Sequence, residues 1–467
     1  MSTQDNAPNT HGSWGARYPL LRRLPLLVRQ DLTAVYSRDL HKWLLIAPVL
    51  GILTGLAITA IAYVILDELW PAVLGQYLHH HWMIVPGLLF GSALAGVIMQ
   101  FCTPDPDEHS TEEIIRSYHE HEGAINVRPF VPKILAAIAS VGFGGSAALE
   151  GPSIYGGGAL GSWLWTRLHA VRALRRYLRL DARDRRILLI CGAAAGMSAV
   201  FRAPLTGIVF ALEMPYKDDL AHEALVPSLI ASGISYGTLS VFLGGAPLLN
   251  FASTATYSGR DLVWCALLGL LVGLVAMVFV LTFRRVRGFF VAWRIAHWQK
   301  LALGGVLTGL CALLFLQLYP GTLVPIGPNY EAVGAILSTH HSTLELLNFS
   351  IFKLAATLFT LASGGVSAMF VPLFLTGGAL GTAFAQSVVH SAGLEMYAAV
   401  GMAAFIAAGY KAPLAAVVFV AEATGGHSFI IPALIGAAVA YAVSGDASAS
   451  GDQRMHDGAE PHAPATE

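Results

Sequence analysis

Residues 192–213, GAAAGMSAVFRAPLTGIVFALE, align without a gap with residues 401–422, GMAAFIAAGYKAPLAAVVFVAE, at a constant offset of 209. Gly192 pairs with Gly401, Arg202 with Lys411, Phe210 with Phe419 and Glu213 with Glu422, and the two Ala-Pro-Leu triplets coincide. A second block lies upstream. KILAAIASVGFGGSAALEGPSIYGGGALG at 133–161 matches KLAATLFTLASGGVSAMFVPLFLTGGALG at 353–381, at an offset of 220. Lys133 pairs with Lys353, Pro152 with Pro372, and both stretches end on Gly-Gly-Ala-Leu-Gly. Two blocks in the same order mark an internal duplication, with halves at 43–245 and 255–445. What one half folds into, the other repeats.

Both halves are apolar. Hydrophobic residues make up 55% of the 467 and charged residues 12%, against about 25% charged in a soluble domain. The chain is therefore expected to be an all-α polytopic membrane protein. Full-length spans are expected at 43–69, 83–101, 262–282 and 301–319. Others are broken by Gly and Pro: 133–149 then 152–166, 187–202 then 204–214, 353–368 then 371–389, and 396–411 then 413–423. Broken helices at bilayer depth are tolerated where the freed backbone is buried in protein or lines a wet cavity. Gly and Pro also let spans pack closely, but interruptions at matching places in both halves favour the cavity.

Basic clusters set the orientation. Arg17, Arg22, Arg23 and Arg29, the arginines of 172–186, and Arg284, Arg285, Arg287 and Arg294 are all expected on the cytoplasmic side of the cell membrane, with both termini. Residues 1–42 read as a polar tail followed by a basic amphipathic helix at 17–42 lying on the bilayer. Residues 446–467 read as a disordered cytoplasmic tail. Cys102, Cys191, Cys265 and Cys311 form neither a disulfide framework nor a metal spacing and read as buried thiols. His79, His80 and His81, flanked by Tyr77 and Trp82, fit an interfacial loop. His119 and His121, with Glu120 and Glu122, fit a polar loop without zinc spacing. No phosphate loop, nucleotide fingerprint or nucleophile motif is present, so no enzyme activity, cofactor, metal or nucleic-acid partner is expected.

Paired broken helices point to a site. Half-helix N-termini that meet near the midplane present unpaired amides and the positive ends of dipoles, which favour an anion. Pro152 and Pro372 fall in the first turns of two such helices, where a missing N–H is tolerated. Just before them stand Leu149-Glu150-Gly151 and Met369-Phe370-Val371. The duplicated position is thus Glu150 in one half and Phe370 in the other: one carboxylate, one aromatic wall. An ionised Glu150 would fill the anion's place and vacate it when protonated. In a soluble protein a glutamate here would simply cap the helix; at bilayer depth an ionisable residue is functional by default.

These residues carry a family resemblance. GGSAALEGPSIYGGGALG resembles the gating-glutamate motif, G-[KR]-E-G-P, of the CLC chloride channels and transporters. SAMFVPLFLTGGALG resembles that family's G-x-F-x-P motif, with Ala368 in place of its glycine, and RAPLTGIVFALE resembles its segment at the cytoplasmic end of a membrane helix. The resemblance covers about 40–445. It implies an inverted repeat of broken, tilted helices, and a homodimer with one pore per subunit. It also implies Glu150 as the gate, amides near Leu149, Gly151, Met369, Phe370 and Val371 as the anion site, and chloride as substrate.

Three departures bear on mechanism. The family's first motif, G-S-G-I-P, corresponds best to 108–119, which puts His109 at the serine position and Ser110 and Thr111 beside it as inner-site hydroxyls. The family's pore tyrosine has no counterpart, since Tyr441 lies too early. The paired regulatory domains that follow the last helix in many members are likewise not expected. Finally, the proton-relay glutamate that follows the first one in exchangers is replaced by Met214, next to Glu213. Together these favour passive chloride conduction gated by Glu150. The alternative is chloride/proton exchange, and a fluoride or nitrate transporter ranks behind both.

Overall fold

The computed structural model describes residues 37–107, 110–246, 256–330, 341–391 and 393–455. His109 and residues 17–36 of the expected amphipathic helix lie outside these. The chain divides into two compact units, Met1–Ile46 and Ala47–Glu467. In the first, the described residues 37–46 are the opening turns of helix α1 (Ser37–Ala62). Among the described residues of the second unit, the regular elements are all helices. There α1 runs through a π-helical stretch, Tyr63–Leu69, into α2 (Trp70–His79), followed by α3 (Ile84–Cys102), α4 (Ser110–Glu120) and α5 (Phe130–Gly142). Next come α6 (Glu150–Ala170), α7 (Arg172–Leu178), α8 (Ala182–Phe201), α9 (Pro204–Glu213) and α10 (Leu225–Leu243). The second half holds α11 (Gly259–Ala292), α12 (His297–Leu318), α13 (Thr343–Ala362), α14 (Phe370–Phe384), α15 (Leu394–Tyr410), α16 (Pro413–Thr424) and α17 (Ile430–Val443). Among the described residues, seven helical stretches are long and apolar enough to cross a membrane.

Two of the expected interruptions fall between helices and have a local cause; the other two open earlier than expected, α5 ending at Gly142 and α13 at Ala362, so that α6 and α14 already start at Glu150 and Phe370. Ala203 and Ala412 precede prolines and take φ/ψ of −137/82° and −125/70°, because the proline ring disfavours the helical region for the residue before it. The preceding residues, Arg202 and Lys411, end their helices in the left-handed region at φ 52° and 57°. The chain therefore turns sharply twice, and α9 and α16 start afresh on Pro204 and Pro413.

Glycine explains how the two blocks combine. A Cβ on Gly157 would lie 1.9 Å from the Gly192 carbonyl oxygen, and one on Gly377 would lie 2.3 Å from that of Gly401. So α6 crosses α8, and α14 crosses α15, at backbone contact. Any side chain at these positions would push the helices apart. The halves also interlock: α3 packs along α12, and α9 along α16. Glu213 caps the start of α16, accepting from the amides of Leu414 (3.0 Å) and Ala415 (2.8 Å). Glu422 does the same for α9, accepting from Leu205 (2.9 Å) and Thr206 (2.6 Å).

Several expectations need correction. The helices α10 and α17 have no counterpart among the expected spans. In α10 the serines Ser228, Ser232 and Ser235 dilute the apolar signal, yet all three are buried, and Ser235 donates to the Ala195 carbonyl at 2.8 Å. In α17 the run is only 14 residues long. Tyr118, His119 and Glu120 close α4 rather than forming a loop. Cys102 is exposed at the end of α3, while the other three cysteines are buried.

The expected disorder beyond residue 445 does not hold for 446–455, which forms a strap. Its Ala449 amide donates to Gly409 (2.7 Å) and its Arg454 amide to Pro215 (3.2 Å), while the Lys217 amide donates to Arg454 (2.9 Å). Ser448, Ser450 and Gln453 are buried. Polar composition suggested a free tail, but these polar groups satisfy backbone left bare at the ends of α9 and α15.

Candidate anion site between two cavities

The starts of α6 and α14 are drawn together by a two-bond bridge. The Ala148 amide donates to Ala368 at 2.9 Å, and the Ala368 amide donates back at 3.3 Å. Leu149 and Met369 are the respective N-caps, so the first-turn amides, including those of Gly151 and Val371, have no partners within their own helices. All five expected residues (Leu149, Gly151, Met369, Phe370 and Val371) thus converge with Glu150. Two of the amides are occupied. Phe370 donates its N–H to Glu150 Oε1 at 2.6 Å, and Met369 donates to the Tyr410 hydroxyl at 3.0 Å. The second oxygen, Glu150 Oε2, is buried without a hydrogen-bond partner among the described residues.

Phe370 is fully buried in an aromatic cluster, with ring centroids 5.0 Å from Phe201, 5.0 Å from Phe419, 5.7 Å from Phe210 and 5.8 Å from Tyr410. This wall holds the amide that Glu150 occupies. Tyr410 is the residue sequence reasoning missed. It ends α15 rather than beginning a last helix, and its hydroxyl faces the Glu150 carboxylate as well as the Met369 amide. Its one signal in sequence was its place directly before Lys411, at the turn the repeat had already marked.

A cavity of about 30 Å³ lies beside this point, lined in part by the start of α4, whose other end places the Tyr118 ring 5.7 Å from Arg186 of the arginine-rich segment. It is lined by Ser110, Thr111 and Glu112 of α4, by Gly151, Ser367, Met369 and Tyr410, and by Ala449 and Ser450 of the strap. The structure thus brings Ser110 and Thr111 to the site. Ser110 donates to the Val366 carbonyl at 3.4 Å. At the mouth Arg287 grips Glu112 with two bonds, 2.8 and 3.0 Å. Lys133 pairs with Glu113 and sits 4.1 Å from the Tyr155 ring. Nearby, Asp107 in the loop after α3 is held below the usual carboxylate range by a hydrogen bond from His297 and by the charge of Lys300. Met214 is buried and is not among the residues lining this cavity. The strap steadies Tyr410, since Gln453 donates to its carbonyl at 3.2 Å.

A second cavity, about 340 Å³, opens on the other side of Glu150. Its lining includes Asp67, Trp70, Arg202, Asn329 and Tyr330. The 20-residue helix α8 separates its two ends by about 30 Å. The arginines of 183–186 lie at one end and Arg202 at the other. Two cavities of unlike size thus flank one buried carboxylate, which lines neither but is faced by a tyrosine from each wall, Tyr410 and Tyr330.

That arrangement, a carboxylate buried between two half-helix N-termini in a bundle of apolar helices, is that of a membrane transport protein. A family model described as voltage gated chloride channel matches residues 91–445, most of the chain, and the protein belongs to this CLC family. Family members are channels and transporters of anions, not enzymes. Among curated relatives, the H(+)/Cl(-) exchange transporter ClcA of Yersinia pestis is 29% identical over 453 residues, spanning 93% of this chain and 89% of its own. The protein of the same name from Salmonella arizonae is 27% identical over 432 residues, spanning 89% and 86%. A solved slow cyanobacterial Cl-/H+ antiporter superposes with a TM-score of 0.73 at 23% identity, over 86% of this chain and 94% of its own. A solved CLC-type fluoride/proton antiporter gives 0.73 at 22%, over 90% and 99%. At these identities the structures speak for the fold alone.

Proposed function

We propose that this protein exchanges chloride for protons across the cell membrane, with Glu150 carrying the proton and competing for the anion site. The observation that carries the reading is the Glu150 carboxylate itself, buried, with one oxygen on the Phe370 amide at 2.6 Å and the other without a partner among the described residues. The ionised group sits where chloride would sit. A proton added to a carboxylate oxygen removes the charge and weakens the bond from the Phe370 N–H, since hydrogen bonds to ionised acceptors are roughly twice as strong as neutral ones. The side chain then leaves and chloride takes the amides of Phe370 and its neighbours. Release of the proton to the opposite side returns Glu150 to its place.

The curated relatives bear the name of exchangers, and that supports exchange over the passive conduction expected from Met214. Glu213 is a poor substitute for the missing relay, because both its oxygens are taken by the amides of Leu414 and Ala415. In this reading the proton reaches Glu150 through the small cavity, past Ser110, Thr111 and Tyr410, and the Tyr410 hydroxyl is the constriction that the expected tyrosine would have supplied. The arginine-rich face is cytoplasmic, and the working form is a homodimer with one pore per subunit.

Proteoliposomes with an imposed chloride gradient, recorded for chloride and pH together, test this. Uphill proton movement at a fixed ratio to chloride supports exchange. Chloride flux without proton movement returns the reading to a channel, the outcome Met214 favours. The same assay with fluoride or nitrate in place of chloride ranks the anions.

A further inference from the structure

Arg202 and Lys411 hold matching positions, each ending a helix in the left-handed region before Ala-Pro, yet their surroundings differ. Lys411 is satisfied. Its ammonium donates to Ser444 Oγ (2.5 Å) and the Tyr441 carbonyl (3.1 Å), and lies 4.7 Å from the Tyr441 ring. Arg202, half-buried, makes no side-chain hydrogen bond or ion pair among the described residues, and its place is on the wall of the 340 Å³ cavity. At the same wall the Tyr330 hydroxyl is buried without a hydrogen-bond partner among the described residues, and it faces the Leu149 backbone and the Glu150 carboxylate. Asn329 holds the Tyr330 segment in place, its amide nitrogen donating to the Val324 carbonyl at 2.6 Å.

From this we infer that the larger cavity is a second anion site, in which Arg202 collects chloride from the face opposite the arginine-rich loop and the Tyr330 hydroxyl hands it to the position Glu150 vacates. A buried hydroxyl and a half-buried guanidinium are each unfavourable to leave unpaired; an anion entering the cavity pairs with Arg202 first, and the Tyr330 hydroxyl, which has no exposed surface, receives it only as it moves on toward Glu150. Asp67 lines the same cavity, but makes no ion pair with Arg202 within 4.0 Å. Its charge tempers the site rather than neutralising it. A lipid phosphate offers Arg202 the same chemistry as chloride, and the experiment separates the two sources.

The inference rests on anion transport and not on proton coupling. Chloride is varied on one side at a time, at fixed ionic strength, in liposomes of phosphatidylcholine alone and of phosphatidylcholine with phosphatidylglycerol. The Arg202→Asn variant keeps a residue that tolerates positive φ, so the turn survives. It is expected to raise the half-saturating chloride concentration about fivefold on the Arg202 side only, in both lipids. Arg202→Lys restores most of the affinity, Asp67→Asn tightens it, and Tyr330→Phe slows maximal flux with little change in half-saturation. No change in Arg202→Asn, an equal change on both sides, or a change only with the anionic lipid overturns the proposal. A protein that proves uncoupled yet shows the one-sided shift would sink the exchange reading and leave this one standing.

Discussion

The two cavities that flank Glu150 are each lined by residues from both halves of one duplicated chain, and they differ in size and in how their cations are paired. The one on the arginine-rich face is about 30 Å³, is narrowed by Tyr410 and the strap, and has its cation, Arg287, gripped by Glu112. The other is about 340 Å³, and its cation, Arg202, has no such partner among the described residues. The shared framework shows in the paired glycine crossings and in the reciprocal caps of Glu213 and Glu422. Where the halves agree the residues hold helices; where they disagree, Glu150 takes the Phe370 amide, and Arg202 lines a cavity while Lys411 is bound to Ser444 and Tyr441.

The largest test of this comparison removes the carboxylate that the tyrosines of both cavities face. In Glu150→Gln the group no longer ionises, so coupled proton movement is expected to vanish. Chloride flux should also become independent of pH on the side of the large cavity. A Gln variant that keeps the wild-type pH profile would show that Glu150 is not the gate. Next in size is removal of the strap by ending the chain at Gly445. This deletes the bonds from Ala449 to Gly409 and from Gln453 to Tyr410, each worth about 0.5–1.5 kcal/mol. Chloride leak should rise from the small-cavity side and thermal stability fall, with half-saturation on the opposite side unchanged. A smaller effect follows from Tyr410→Phe, which takes the acceptor from the Met369 amide. It should change the chloride-to-proton ratio by about two- to tenfold, read in the same dual recording.

Much of this was legible in the residues. The repeat located the helix breaks because proline and glycine act through the backbone, and backbone rules are local. The pairing of Glu150 with the start of the opposite helix followed from the same logic. Tyr410 was not legible, because its position depends on where the end of α15 lies in space, and nothing in the string AAGYKAPL distinguishes a tyrosine beside the Glu150 carboxylate from any other buried one. The strap escaped for a different reason. Serines and glycines that look like a free tail become ordered when nearby carbonyls and amides need partners, and that need belongs to the folded helices. Arg202 was visible as half of a pair; its lack of a partner was not.

The smallest prediction turns one cavity toward the other. In Glu112→Gln the side chain stays nearly the same size but loses the charge that occupies Arg287. The half-buried guanidinium would then resemble Arg202, a cation at a cavity mouth without a carboxylate. Two consequences compete. Breaking a partly buried ion pair leaves an uncompensated charge, so the melting temperature should fall. That same uncompensated charge attracts chloride, so the half-saturating concentration on the arginine-rich side should drop by about two- to fivefold. The drop should fade at high ionic strength, because screening shortens the reach of a partly exposed charge. Chloride affinity on the Arg202 side should not move. If affinity on the arginine-rich side weakens instead, Glu112 serves to shape the mouth rather than to mask Arg287, and the contrast between the two cavities is one of size more than of charge.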